Sequence, residues 1–384
     1  MKIQLVKDTI DKNDINKLIE WLETNPRLTK GEYTTKFEHQ WSLYTGVKHS
    51  VYVNSGSSAN LAMTYALKVA GKLKNNIVLA PSVSWVTTVA PFMQLGFDVK
   101  LIDCDKDTLG PDIDHLKKLI ELYNPSAMIM VHVLGIPAKM REIMKLCQLH
   151  NILLLEDSCE SVGSSYGGIK TGNFGLMSSF SFYFGHHIST IEGGMVCTND
   201  DNFYNVLKSI RAHGWDRDLD EPFKTELKNG YHVDEFKDLY TFYYPGFNLR
   251  STDLQAFIGM GQMDKITHVV ESRHENYVLY HSLIKNDYWK INPTEDSYVS
   301  AFAYPIITPK LKELVKALND NDIETRPLIC GSIGKQPFWK KETGYYCQFD
   351  MADKVDQLGC YLPNNHQLTK EEIEFVCDVV NRIL

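Results

Sequence analysis

Four short segments of this 384-residue chain carry side chains that could do chemistry, and each lies where an apolar run ends. In Val53-Asn54-Ser55-Gly56-Ser57-Ser58-Ala59-Asn60, small residues let the backbone approach an anion closely. A helix start there offers unpaired N–H groups and the serines add hydroxyl donors, which makes Gly56 and Ser57 candidate phosphate ligands. The same residues also spell an ordinary serine-capped helix start. Pro81-Ser82-Val83-Ser84-Trp85 ends the next run, and Trp85 offers either a flat face for a heteroaromatic ring or one more core side chain. In Ile152-Leu153-Leu154-Leu155-Glu156-Asp157-Ser158-Cys159-Glu160, Asp157 stands at the end of an apolar strand. A carboxylate there can hold a pyridine nitrogen protonated, or it can cap a helix. The fourth segment runs from Ser179 to Gly194 and contains Ser181, His186, His187 and Glu192-Gly193-Gly194. Ser181 suits a phosphate, and His186 can move protons but cannot form the stable Schiff base of a primary amine. His186 and His187 are adjacent, which is not the i, i+4 spacing of helical metal ligands, so no metal site is expected and His187 reads as structural.

These segments need a scaffold that brings strand ends together. Short apolar runs at 50–53, 77–80, 99–103, 127–132, 152–156, 179–184 and 194–198 predict strands. Helical periodicity covers 14–23, 36–43, 59–70, 112–122, 140–150 and 201–212. Strands alternating with helices imply an α/β protein whose mainly parallel sheet is covered on both faces, with ligands at the carboxyl ends of the strands. After Asp253 the pattern changes to a long helical region over 253–283, strand material at 298–307 and a closing helix at 370–384. The expected division is a large α/β domain over 1–250, then a linking helix and a smaller α+β domain over 251–384.

Composition narrows the function further. Apolar residues make up 43% and charged residues 23%, as in an ordinary globular enzyme, and the formal net charge is −8. That balance argues against nucleic acid as a partner, since phosphates need a basic face. The first residues meet charge too soon for a signal peptide and no apolar run reaches membrane-spanning length. Eight cysteines are scattered without a Cys-x-x-Cys pair, which predicts reduced thiols in the cytoplasm and no cluster site.

The four segments, in this order and spacing, resemble the fold-type I pyridoxal-phosphate family that modifies nucleotide-linked keto-sugars. The resemblance runs from Thr29-Lys30-Gly31-Glu32-Tyr33-Thr34 to Tyr361-Leu362-Pro363-Asn364. It implies an aspartate-aminotransferase-like fold with a seven-stranded sheet. Counting back from Glu192-Gly193-Gly194, the family's cofactor lysine falls on His186. That replacement, with Tyr243-Tyr244-Pro245-Gly246-Phe247-Asn248-Leu249-Arg250 and Arg326-Pro327-Leu328-Ile329-Cys330, is similar to the 3-dehydratase branch on GDP-linked 4-keto-6-deoxy sugars, of the colitose route. By that resemblance Gly56, Ser57 and Ser181 hold the phosphate of a non-covalent pyridoxal or pyridoxamine phosphate. Trp85 stacks on its ring, Asp157 holds its nitrogen, and Glu160 replaces the usual Gln or His near its hydroxyl. Asn248 and His213 reach across a homodimer interface into a shared active site, with a structural histidine the alternative for His213. L-glutamate is the implied amino donor, and Arg250 and Arg326 are candidates for its carboxylate or for structural ion pairs.

Three rivals stand beside this reading. A CDP-sugar 3-dehydratase with an iron–sulfur centre needs a cysteine cluster, and no cysteine lies between Cys197 and Cys330. A cofactor-binding sensor without turnover would also lack the lysine, but it has no need of a base at 186 or of Asp157. An aminotransferase with its lysine elsewhere would have to use Lys170, which follows a turn sequence, Gly167-Gly168-Ile169, away from the loop.

Overall fold

The apolar runs assemble as strands because each buries side chains on both sides of the sheet, as in the central segment Ala127–Val131, buried at every position. The computed structural model describes residues 2–384. Seven strands form the main sheet: β1 His49–Val53, β2 Ile77–Pro81, β3 Asp98–Ile102, β4 Ala127–Val131, β5 Leu153–Asp157, β6 Met177–Ser181 and β7 Gly194–Thr198. Their order is β1-β7-β6-β5-β4-β2-β3. Neighbours from β3 to β6 are parallel, while β7 runs antiparallel to both β6 and β1. Alternate residues serve opposite faces. Val78, Ala80, Ile129 and Leu155 pack with the helices Gly56–Val69 and Asp201–Arg211. Leu79, Met128, Met130 and Leu154 pack with Ile113–Tyr123 and Met140–Leu149.

Three expected elements differ in extent. The strand expected at 179–184 stops at Ser181, because its partner β7 begins at Gly194, opposite Ser181. Beyond that pair the chain leaves the sheet, and Tyr183 and Phe184 are exposed although their aromatic run reads as strand. The helical region at 253–283 is two helices, Asp253–Met263 and Ile266–Leu283. At the break between them, the Lys265 ammonium pairs with Asp11 and Asp14, each at 2.6 Å. The strand material at 298–307 is two short pieces, Ser297–Tyr298 and Tyr304–Ile307, serving different sheets.

The second unit is a three-stranded antiparallel sheet, Tyr304–Ile307, Gly359–Leu362 and Arg326–Pro327, backed by Leu311–Asp320 and Lys370–Ile383. The division expected at 250/251 is crossed in both directions. Ile3 bridges to Ile323 and belongs to the core of the second unit. The helix Asp253–Met263 packs on the helix Glu32–Thr45, and Ala256 shares a core with Phe37 and Trp41. Burial decides both cases, since an apolar face joins whichever core it can reach whatever its position in the chain.

Candidate active site

The sheet brings the carboxyl ends of β1, β2, β5 and β6 to one edge, and the antiparallel β7 starts there. At the end of β1, Ser55 caps the helix Gly56–Val69 by accepting from the Ser58 amide at 3.0 Å. The cap leaves the first amides, those of Gly56 and Ser57, free to face an anion. The Ser57 hydroxyl reaches Thr87 at 3.3 Å, so the starts of two helices, Gly56–Val69 and Val86–Gln94, meet at one point. Gly56 is required by close approach: a Cβ there would lie 2.6 Å from the Ser181 Cβ and 3.0 Å from its hydroxyl. Gly56, Ser57 and Ser181 therefore form one anion cradle. Trp85 is no core tryptophan; it stands at the start of Val86–Gln94 and is 55% exposed.

One helical turn below the cradle, Asn60 donates to Asp157 Oδ2 at 2.8 Å, and Thr88 donates to the same oxygen at 2.7 Å. Asn60 is itself held by the Ser179 hydroxyl at 2.6 Å. The other oxygen, Oδ1, accepts only a long bond of 3.2 Å from the Cys159 amide. Asp157 is thus a clamped, buried carboxylate with one oxygen in reserve for a cationic donor. Glu160 accepts from the Leu134 amide at 2.7 Å, and burial pushes its carboxyl up to about 8 despite that bond. At neutral pH it is mostly protonated and can donate a hydrogen bond.

His186 sits on the loop between β6 and β7, half-buried, with its ring centroid 5.3 Å from that of Phe302. Its Nδ1 is sealed from solvent and makes no bond of good geometry. Burial pushes the ring down to about 4, helped by the charge of Arg273 and opposed by Asp157 and the Cys159 carbonyl. It is a neutral imidazole at physiological pH, the form a general base needs. His187 is fully buried and bonded to the Ser300 carbonyl and hydroxyl, each at 3.1 Å, which is a structural role.

The remaining candidates lie in other places. His213, Asn248 and Arg250 form a cluster of their own. Arg250 donates to Asn248 Oδ1 at 3.0 Å and touches the His213 ring at 3.2 Å. His213 is held at φ 65° by the turn it makes with Gly214, where a Cβ would strike the Tyr244 carbonyl at 1.9 Å. Among the described residues no hydrogen bond joins this cluster to His186, Asp157 or Ser181. Arg326 lies on the other side, in a cleft walled by Phe302, Tyr361 and Gly185. Phe302 is the ring that touches His186, so this cleft adjoins that imidazole.

The arrangement can seat a phosphate at the cradle, hold a protonated ring nitrogen at Asp157 and offer a neutral imidazole at His186. Residues 8–381 match the DegT/DnrJ/EryC1/StrS aminotransferase family. This chain belongs to that family. Within it, the chain is 33% identical over 388 residues to a GDP-4-keto-6-deoxy-D-mannose 3-dehydratase of Yersinia pseudotuberculosis, covering 98% of each. A protein of the same name from Escherichia coli O55:H7 is 34% identical, with 95% of this chain and 96% of the relative covered. A solved GDP-4-keto-6-deoxymannose-3-dehydratase with a trapped PLP-glutamate geminal diamine superposes with a TM-score of 0.89 at 33% identity, covering 98% of this chain and all of that one.

Sequence reasoning missed the residues around these groups. Asn60, Thr88 and Ser179, which clamp Asp157, read as ordinary helix and strand positions, and only the fold joins them. A basic cleft beside Arg250 was also missed. Arg27, Lys30, Lys208 and Arg217 line it with Trp215 and a single carboxylate, Asp218. Lys30 pairs with Asp218 at 2.9 Å, and Arg217 lies over the Trp215 ring at 3.9 Å. Arg27, Arg217 and Arg250 have no carboxylate partner among the described residues. In a chain of net charge −8, three such arginines in one cleft are a signal that charge patterning alone could not give, because they are up to 223 positions apart, counted from 27 to 250.

Proposed function

We propose that this chain is a pyridoxal-phosphate-dependent 3-dehydratase that converts GDP-4-keto-6-deoxy-D-mannose to GDP-4-keto-3,6-dideoxy-D-mannose, with L-glutamate as amino donor. The reading is carried by His186, a neutral imidazole where the resemblance to this family of aminotransferases puts the cofactor lysine, with the clamped Asp157 facing it. Relatives of that name match this chain over nearly its whole length. The residues fit the cofactor. The cradle that a Cβ at Gly56 would fill suits its phosphate, Asp157 Oδ1 suits its ring nitrogen, and the exposed Trp85 suits its ring face.

When bound, the cofactor supplies an amine to the C4 ketone of the sugar and an electron sink beside C3. Gly56, Ser57 and Ser181 fix the phosphate. Asp157 would keep the ring nitrogen protonated, and the neutral Glu160 would donate to the ring hydroxyl. His186 takes the proton whose removal starts the elimination, and as imidazolium it can give that proton to the departing C3 hydroxyl. Because His186 is not a primary amine, it cannot capture the cofactor as a Schiff base, which favours elimination over amino transfer. The balance closes: the sugar loses one oxygen, the two electrons come from glutamate, and 2-oxoglutarate and ammonia leave.

The same reading assigns the outer parts of the substrate. Arg27, Lys30, Arg217 and Arg250 form a cleft suited to the diphosphate, where bidentate guanidinium contacts favour phosphate oxygens. Asn248 and His213 serve the neighbouring subunit of a homodimer, consistent with their lack of any bond to this chain's own His186. Arg326 remains available for the donor carboxylate in the cleft beside Phe302. The enzyme works in the cytoplasm, and no described helix is long and apolar enough to cross a membrane.

Product analysis after mixing protein, pyridoxal phosphate, L-glutamate and GDP-4-keto-6-deoxy-D-mannose tests the reading. A 3-deoxy keto-sugar with stoichiometric ammonia and 2-oxoglutarate is expected. An aminosugar would mean that a lysine serves after all. Turnover only with a CDP- or dTDP-linked ketosugar would keep the chemistry and change the nucleotide.

A further inference from the structure

The helix Ile266–Leu283 buries Arg273 in its middle, 1% exposed and among the largest fully buried side chains. No carboxylate pairs with it among the described residues. Its Nη1 donates to the carbonyls of Phe302 at 2.8 Å and Asn364 at 3.0 Å, with a longer contact to Ala301 at 3.4 Å. Its Nη2 donates to the carbonyl of His186 at 3.3 Å. Asn364 closes the clasp by donating back to the Arg273 carbonyl at 3.1 Å and to Ala301 at 2.7 Å. One guanidinium thus ties together the linking helix, the second unit and the loop that carries His186.

Burying a cation without an anion is costly, and its hydrogen bonds offset only part of that cost. A purely structural clasp on carbonyls needs hydrogen-bond donors but no charge. The position of the charge explains the choice. The charged and titratable groups facing His186 are Asp157 from the end of β5, His187 on its own loop and Arg273 from the helix. Asp157 favours an imidazolium; Arg273 alone among them carries a positive charge at neutral pH and opposes it.

We propose that Arg273 is a positioning residue for the base: it fixes the main chain of His186 against the second unit and, through its charge, keeps the ring free to accept a proton. This rests on the reading of His186 as the base. The low proton affinity of the ring agrees with it, burial being the larger cause and Arg273 the next.

Two variants separate charge from scaffold. Arg273→Lys keeps the charge, and Arg273→Gln keeps donors without it. In the holoenzyme, the His186 titration is followed by NMR of labelled histidine, with His186→Asn assigning the signal, alongside the pH profile of kcat/KM. In Arg273→Gln the His186 midpoint and the acid limb of the profile should both move up by about one pH unit, a roughly tenfold lower rate below both midpoints. In Arg273→Lys both should stay within a few tenths of wild type. An unshifted midpoint in Arg273→Gln, or an equal shift in Arg273→Lys, overturns the proposal. If Arg273→Gln does not fold, a shifted midpoint in folded Arg273→Lys also overturns it, and an unshifted one with restored turnover supports it. Normal turnover by His186→Asn would instead remove the base itself, a different failure that the Arg273 variants do not produce.

Discussion

A lysine at position 186 would be both a base and a covalent anchor; an imidazole is only a base, and that difference separates elimination from amino transfer. His186→Asn should therefore lower turnover by roughly 10²–10⁴ while leaving cofactor binding intact, read as kcat against cofactor retained on gel filtration. The same variant has a stability signature. The folded ring titrates at about 4, below its ordinary range, so the unfolded chain binds the extra proton as pH falls. This residue's contribution is present above about pH 6.5 and is lost on acidification toward 4. Urea unfolding from pH 7 to 4 should lose less stability in His186→Asn than in wild type, and parallel curves would contradict the assigned neutral state. Glu160 has the opposite sign. Its folded carboxyl, raised to about 8, contributes stability that is lost as pH rises from about 4.5 to 8. Its slope is thus distinguishable from that of His186.

Elements set these side chains in place by meeting at their ends. The helix Gly56–Val69 does two jobs a turn apart, since its first amides face the cradle and its Asn60 clamps Asp157. Its closeness to β6 leaves no room for a methyl group at Gly56. Gly56→Ala should push Ser181 away and weaken pyridoxal phosphate binding by about tenfold or more, measured by equilibrium dialysis, with the melting temperature of the cofactor-free protein changed far less. An unaltered affinity would mean that the phosphate lies elsewhere. The loop after β6 depends on a different kind of fit. It carries His186 out of the sheet where the ladder with β7 ends, and Arg273 catches its carbonyl from the linking helix.

For the whole molecule, two groups of site residues lie without a hydrogen bond between them, and the proposed active site shared across a homodimer would account for both. Mixing His186→Asn with Asn248→Ala subunits under exchange conditions should therefore recover activity, up to roughly a quarter of wild type if each mixed dimer has one intact site. No recovery, with exchange verified by tag pull-down, would place both residues in one subunit's site. Much of this arrangement was legible in the residues themselves. Alternating apolar runs predicted the parallel sheet, because a strand buried on both faces must be apolar throughout. Asp157, Ser181 and His186 stood out because strand ends are where such a sheet binds ligands. The sequence by itself determined which chemistry was available: an imidazole where the family resemblance puts a lysine, and no cysteine cluster to carry electrons. Tertiary structure alone decided that His186 is neutral, that Glu160 holds its proton, and that Arg273 joins the His186 loop to the second unit. It also decided that residues near 3 belong to the core at 323, and that Arg27, Arg217 and Arg250 share one cleft. The reason is physical: burial, proton affinity and charge convergence depend on neighbours far apart along the chain, and local patterning carries no record of them.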